Sequence, residues 1–477
     1  MIKDSLKLIL VFLGTVFVVY GFPSLNVSGL ITQLGFLLLI VYVFISKNDI
    51  FWLCWYFIVL DPPGRLFTET SLTGTYRLPL YNIAPGVSLG FEDIFLAMYI
   101  IKTVRSRLGG GFVFKREFRL YLGVGVFYLL LSFLMGISAN NVIYAIRSIL
   151  GWSWVLILPV YISQKKDLAS FYRLLIPFVI IAFGLQIHSM ITGSYLHNML
   201  SSTAVSGIYG TGLEEGLVRA SSATFISFIG LILSLHYLSK RDPEINRNLL
   251  IVVAILASLT TFLTATRGWI VAVTFLYASF FTISGFGWFR QVIRTLFIVG
   301  LVAIILTSLF PFITAQSGYV FERMMTLESL AEGDLTAGGT LGRLTTRGPR
   351  VMAVWRESPI IGWGFSNTFR AWGDVHVGNQ TNLLNLGILG FLVINVLYLY
   401  MCVKTYRLGR REEVTRQGYN GSVFLFALLA MFAVHSSSTM LWGFLLTAQY
   451  THFFWALLFT AISAELIPGN FLYRDKN

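Results

Sequence analysis

GGTLGRLTTRGPRVMAVWRESPIIGWGFSNTFRAWGDVHVGNQTNLLNLGILG, residues Gly338 to Gly390, is the stretch on which the reading of this chain turns. It carries five arginines, a histidine with an aspartate two residues before it, and repeated Gly and Trp, inside a chain that is apolar almost everywhere else. Its last part, from Asn382 on, already has the composition of an apolar helix. Polar chemistry is therefore gathered into one long loop and delivered to a membrane surface.

The composition of the rest sets the class. Of 477 residues, 56% are hydrophobic and only 12% charged, against about 25% charged in soluble domains. Mean hydropathy is +0.74. These values predict an integral membrane protein. The net charge of +13 is what basic cytoplasmic loops supply under the positive-inside rule, so no nucleic-acid partner is needed to explain it. Cys54 and Cys402 fall in distant apolar segments, which argues against a disulfide or a metal site. Lys3 and Lys7 precede a long apolar run with no small-residue cleavage site, the pattern of a retained first helix.

A membrane helix takes roughly 20 mainly apolar residues, and about fourteen segments (12–14) approach that criterion. They centre on 6–22, 29–46, 50–60, 91–104, 119–136, 143–162, 171–193, 218–239, 248–265, 268–284, 294–313, 381–403, 421–437 and 447–465. The third and fourth are short. The expected class is an all-α polytopic membrane protein: eleven helices over 1–313, one large loop with short helices over 314–380, and three helices plus a C-terminal tail over 381–477. Basic clusters at Lys102 to Arg119, at Lys240 to Arg247 and at Lys404 to Arg416 mark the cytoplasmic side. Both termini then lie in the cytoplasm. The 314–380 loop faces the periplasm or exterior; its six Arg, six Asp or Glu and no Lys suit a translocated loop.

Within the loop, Pro349 is placed to start a helix. The run to Glu357 predicts one short amphipathic helix stopped by Ser358-Pro359, with Val351, Val354 and Trp355 on the membrane surface. Arg347 and Arg350 sit at its start, either snorkelling or touching substrate. Trp363 and Trp372 either stack on sugar rings or anchor the loop among headgroups. Asp374-Val375-His376 and Asn379 then lie just before a helix expected to begin near Thr381 or Asn382. The amides of such a terminus favour phosphates, and a histidine there suits proton transfer. The other histidines lie in or near apolar segments or, for His197, in an outer loop.

Arg219 and Arg267 stand at helix edges on the same outer side, against the positive-inside bias. Guanidinium binds phosphate bidentately and stays charged in a dry site. Arg147 lies inside an expected span, where it either serves function or pairs with Glu92 or Asp93.

Several of these residues, in this order, carry a resemblance: Thr266-Arg267-Gly268, the loop with its Arg and Trp, Ser358-Pro-Ile-Ile-Gly-Trp-Gly364, then His376-x-x-Asn379 and Leu386-Gly-Ile-Leu-Gly390. The chain resembles the O-antigen ligase and O-antigen polymerase superfamily of bacterial membrane glycosyltransferases. The family histidine corresponds to His376 and its arginines to Arg219 and Arg267, with a third among Arg343, Arg347 and Arg350. Arg219 to Gly230 also fits the arginine-x10-glycine pattern of the polymerases; a second copy in the loop is absent, Arg350 to Gly362 being one residue too long.

The resemblance implies a GT-C-like fold, no metal and no other cofactor, an undecaprenyl-diphosphate-linked oligosaccharide donor and a saccharide acceptor. A chain-length regulator and a flippase are the implied protein partners, beside the membrane lipids. The chain contains no Asp-x-Asp. The implied chemistry is a single inverting displacement: Arg219 and Arg267 neutralise the leaving diphosphate and His376 takes the acceptor proton. Asp374, or Glu214 or Glu215, orients that histidine or replaces it as base. A ligase acting on another acceptor is the alternative within the class. A flippase for the same lipid-linked sugars is the alternative outside it, and would show repeats and charges near the bilayer midplane.

Overall fold

The computed structural model describes residues 2–24, 29–63, 66, 78–84, 87–106, 111–192, 196, 223–240, 244–264, 266–283, isolated positions between 293 and 321, 343–411, 421–437, 439–445 and 449–466. Helix makes up 82% of the described residues. Among the described residues, four helical segments are long and apolar enough to cross a membrane, Lys115–Leu134, Ala139–Tyr161, Lys165–Thr192 and Gly378–Gly409. Shorter apolar helices accompany them. This supports the all-α membrane class.

The chain divides into two compact units. The first holds α1 (Ile2–Ser24), α2 (Gly29–Ile45), α3 (Asp49–Leu60), α4 (Phe91–Ser106), α8 (Lys165–Thr192), α9 (Thr224–Ser239) and α10 (Arg247–Leu263). It also holds an antiparallel hairpin, β1 (Leu80–Ala84) with β2 (Val87–Gly90), which pairs Leu80 with Gly90. This hairpin is a departure from a purely helical reading; five and four residues were too few to show a strand period against apolar flanks.

The second unit holds α5 (Lys115–Leu134), α6 (Ala139–Gly151), and most of α7 (Trp154–Tyr161) and of α11 (Arg267–Ile283). It continues with α12 (Gly348–Trp355), α13 (Asn367–Trp372), α14 (Gly378–Gly409), α15 (Ser422–Ser437) and α16 (Gln449–Leu466).

The described helices fall close to the expected segments because apolar runs set their length; most of the expected 294–313 span lies outside the described residues. The expected 143–162 span is divided at Trp152-Ser153, where the amides bond back to Ile149 and Leu150 in a tighter turn. Large aromatics fill the interior: Trp55 in the first unit, and Trp152, Trp154, Trp442 and Trp455 in the second, are fully buried. Aliphatic side chains such as Leu38, Ile45, Val104 and Leu134 face outward instead. So much exposed apolar surface is a liability in water and the normal covering of a protein in lipid.

Ion pairs sit near helix ends. Lys102 reaches Asp49 in the first unit. Lys404 at the far end of α14 reaches Glu117 at 2.6 Å in the second.

Candidate functional site

The site is built where two helices meet irregular backbone. In α14 the chain leaves helical geometry at Gly387, with φ 58° and ψ −173°. That region of backbone space is essentially reserved for glycine. The break frees carbonyls before it and amides after it, and the segment 359–364 satisfies both sets. Trp363 and Gly364 donate to Leu384 and Asn385 carbonyls at 2.8 Å each, while Ile388 and Leu389 donate to Pro359 and Ile360 at 2.9 and 3.1 Å. Asn385 Nδ2 adds a bond to the Gly364 carbonyl at 2.6 Å, and Tyr128 OH caps the Leu386 carbonyl at 2.5 Å. The run Ser358-Pro-Ile-Ile-Gly-Trp-Gly364 is therefore a strip of backbone inserted into a broken helix.

The half-helix Gly378–Leu386 that results carries Thr381, Asn382 and Asn385 fully buried, and its start holds the candidate residues. Asp374 is the hub. Its amide donates to Thr381 Oγ1 at 3.1 Å, and that hydroxyl donates back to the Asp374 carbonyl at 2.7 Å. Its carboxylate Oδ1 accepts the His376 amide at 2.9 Å, so Asp374 shapes the turn that presents His376 through backbone.

Arg347 and Arg350 both approach the same carboxylate, each at 3.6 Å. They are three residues apart, at the end of the π-helical turn Arg343–Arg347 and in the first turn of α12, hence on one face. Their guanidinium side chains are 46% and 51% exposed, while Asp374 is only 10% exposed. Charge-assisted hydrogen bonds close to about 2.7–2.9 Å; at 3.6 Å these arginines are held near Asp374 without being saturated by it. Two cations against one carboxylate leave this cluster, two residues from His376, with one net positive charge.

The 374–377 turn is tied in turn to a second irregular segment, 439–445, between α15 and α16. Met440 donates to the Val375 carbonyl at 2.6 Å. Inside a bilayer such backbone survives only where protein satisfies it, and here side chains do so residue by residue. His435 Nδ1 accepts the amides of Leu441 and Trp442 at 3.0 and 3.3 Å, and Tyr121 OH accepts that of Gly443 at 3.0 Å. The carbonyls of Leu441, Trp442, Gly443 and Leu445 accept from Trp455, Asn382, Trp152 and Tyr144 at 2.7, 2.9, 3.1 and 2.5 Å. Ser148 bonds the Phe444 carbonyl.

The remaining expectations separate as follows. Asn379 Nδ2 bonds Ser436 Oγ at 3.1 Å, pinning the start of α14 to α15. Arg147 is half-buried on α6. Arg267 and Arg343 stand at the start of α11 and of the π-helical turn, and their side chains lie outside what is described. Arg219, Glu214 and Glu215 lie outside the described residues altogether. The short helix runs over Gly348–Trp355, as Pro349 indicated. Its Val351, however, is fully buried and not on a membrane surface, because α12 packs on α14.

Of the two loop tryptophans, Trp363 donates from Nε1 to the Val354 carbonyl at 3.1 Å and has a structural task; Trp372 is exposed. The sequence reading missed Arg370, whose guanidinium lies 3.8 Å from the centre of the Tyr144 ring, and Asn367, whose Oδ1 accepts from the Ser138 amide and Asn141 Nδ2 at 3.0 and 2.7 Å. It also missed Asp61, a buried carboxylate in the first unit that accepts the Ile226 amide at 3.0 Å at the start of α9. Burial pushes its carboxyl up to about 7, against the amides of Ile226, Phe225 and Ala223, which pull it down. Among the described residues no group of three His, Cys, Asp or Glu is gathered to hold a metal ion. No family model matches the chain, and no curated protein matches it.

Proposed function

We propose that this chain is a membrane glycosyltransferase that polymerises undecaprenyl-diphosphate-linked oligosaccharide repeat units on the outer side of a bacterial inner membrane, with both termini in the cytoplasm. The observation that carries the reading is the convergence of Arg347, Arg350 and Asp374 beside His376 at the start of a half-helix. A site with excess positive charge, helix amides and one imidazole suits an anionic substrate whose reaction moves a proton.

In the reaction, the bond from the anomeric carbon to the diphosphate oxygen breaks as the acceptor oxygen bonds that carbon. His376 takes the acceptor's proton, and the diphosphate leaves with the negative charge. Arg219 and Arg267 are assigned to that charge from the family resemblance; Arg347 and Arg350 add a second cationic patch, for the acceptor's own diphosphate or its distal sugars. Asp374 fixes the turn that carries His376.

The flippase reading gains one observation, the discontinuous α14, since broken helices mark transporter sites. Here the break is filled by backbone hydrogen bonds from 359–364, which weighs against it as a substrate site. The ligase remains the alternative, and shares all the chemistry at His376.

The experiment is purified protein supplied only with the lipid-linked repeat unit. Ladders of two, three and more units support a polymerase; product that forms only after a distinct acceptor is added moves the assignment to ligase. His376→Ala is expected to abolish transfer and keep the protein folded, because its hub contact is made by backbone. Full activity in that variant would place the base elsewhere.

A further inference from the structure

We propose that Trp372 is a saccharide platform: its exposed ring face receives a pyranose ring of the substrate while the neighbouring Arg350 and Arg347 hold the adjoining phosphate. The inference rests on the glycosyltransferase reading above and deepens it, by naming a residue that recognises sugar rather than charge.

Three observations lead there. Trp372 is 40% exposed, whereas five other tryptophans of the structure are completely buried. It stands two residues before Asp374, and the Arg350 guanidinium lies 5.9 Å from its ring centre. That distance is at the outer limit of a cation–π contact, so Arg350 stands over the ring at the edge of contact while the residue keeps 40% of its surface exposed.

The third observation is rigidity. The helix that carries it, α13, is fastened at both ends and along one side. Ser366 Oγ accepts the Phe369 amide at 3.3 Å, and Gly373 closes the last turn on the Phe369 carbonyl at 2.8 Å. Asn367 is bonded to Ser138 and Asn141, and Arg370 lies on Tyr144. Phe369 itself is buried.

A tryptophan that only anchors a loop among headgroups needs no such fixation, since the interface accepts the ring in many orientations. A platform does, because an aromatic face binds the C–H face of a sugar only when held in register with the polar groups that bind the rest of the molecule. A ring beside two guanidiniums matches a sugar joined to a phosphate, which is what a lipid-diphosphate-linked saccharide presents.

The test uses full-length protein in nanodiscs, with Trp372→Phe and Trp372→Leu. Leucine keeps apolar bulk for lipid and removes the flat face; phenylalanine keeps a smaller face. One arm reads transfer, with the lipid-linked repeat unit as donor and a lipid-free oligosaccharide diphosphate of the same repeat as acceptor. The other arm reads saturation-transfer NMR of that oligosaccharide, which needs no turnover. Expected are magnetisation confined to protons of one pyranose face in wild type, its retention in the Phe variant and loss in the Leu variant. The acceptor KM should rise about fivefold to tenfold in the Leu variant with kcat little changed, the size of one aromatic contact.

A Leu variant with wild-type KM and wild-type NMR signal overturns the platform and leaves an anchor. An evenly distributed signal in wild type overturns it without any variant, which covers the case of a misfolded mutant. Absence of transfer by wild type would instead refute the glycosyltransferase reading, and the NMR arm still reports on Trp372.

Discussion

Replacing Gly387 by alanine tests the device that holds the site together. A Cβ there would lie 2.3 Å from the Ile360 oxygen, 2.4 Å from its carbonyl carbon and 2.5 Å from the Gly362 nitrogen. These are backbone atoms, which no rotamer change can move aside. The variant has two courses. If it keeps the break, it holds alanine in a glycine-only conformation at about 1–3 kcal/mol, with the clash in addition. If it straightens α14, it gives up four backbone hydrogen bonds to 359–364, at about 0.5–1.5 kcal/mol each, and recovers part of that within the helix.

Either course costs about 3 kcal/mol, which lowers the melting temperature by about 5–10 °C in a unit of this size. Thermal melts in detergent measure that shift, and trypsin cleavage after Arg356 and Arg370 measures release of the loop. Gly123→Ala in α5 is the control: it meets nothing within 4 Å and should gain up to about 1 kcal/mol from helix propensity. A Gly387→Ala protein that melts with wild type and resists trypsin equally would refute the inserted-strip account.

Asp61 predicts a pH effect of definite sign. Its folded value of about 7 lies above the ordinary 3.8, so the folded state binds the proton more tightly. This contribution is fully present below about pH 4 and is lost as pH rises towards 7. Asp61→Asn, which still accepts the α9 amides, should flatten the melting temperature over that window; parallel wild-type and variant profiles would contradict it. Arg347→Ala or Arg350→Ala is expected to leave stability within about 1 kcal/mol, since exposed pairs contribute little, yet to weaken substrate affinity severalfold; unchanged KM would remove them from the site. Cysteine placed at Ala337 should react with an impermeant reagent from outside, and failure in spheroplasts would invert the orientation. Transfer should persist in EDTA, and a strict metal requirement would argue against arginine as the source of positive charge.

How much of this was legible depends on whether a signal is local. Pro349 and Ser358-Pro359 bound a helix by backbone sterics, so Gly348–Trp355 could be read directly. Asp374 and His376 stood out because polar residues in an apolar chain need a reason. The approach of Arg347 and Arg350 to one carboxylate was half legible: their spacing of three puts them on one helix face, but nothing local shows that Asp374, more than twenty residues later, meets that face. Gly387 was not legible, since the apolar pattern runs unbroken on both sides and its partner strip is equally apolar. Val351 was misplaced for a related reason: an amphipathic stripe shows that a face is apolar and not whether lipid or protein covers it.

The segment 439–445 shows why side chains that look structural in such a chain bear on its function. Its backbone groups are buried, so Tyr121, Tyr144, Ser148, Trp152, Asn382 and Trp455 are each committed to one of them and His435 to two. Through Met440 the same segment holds the Val375 carbonyl, and so the turn between Asp374 and His376. Tyr144 also lies under Arg370, the residue two before Trp372. The turn with the histidine and the helix with the exposed tryptophan are thus both fastened to backbone that only these buried polar groups keep in place. Removing a buried acceptor such as His435 leaves two amides without a partner, a penalty of about 1–3 kcal/mol for each. The damage would be felt first at the 374–377 turn, where one hydrogen bond from Met440 makes the connection.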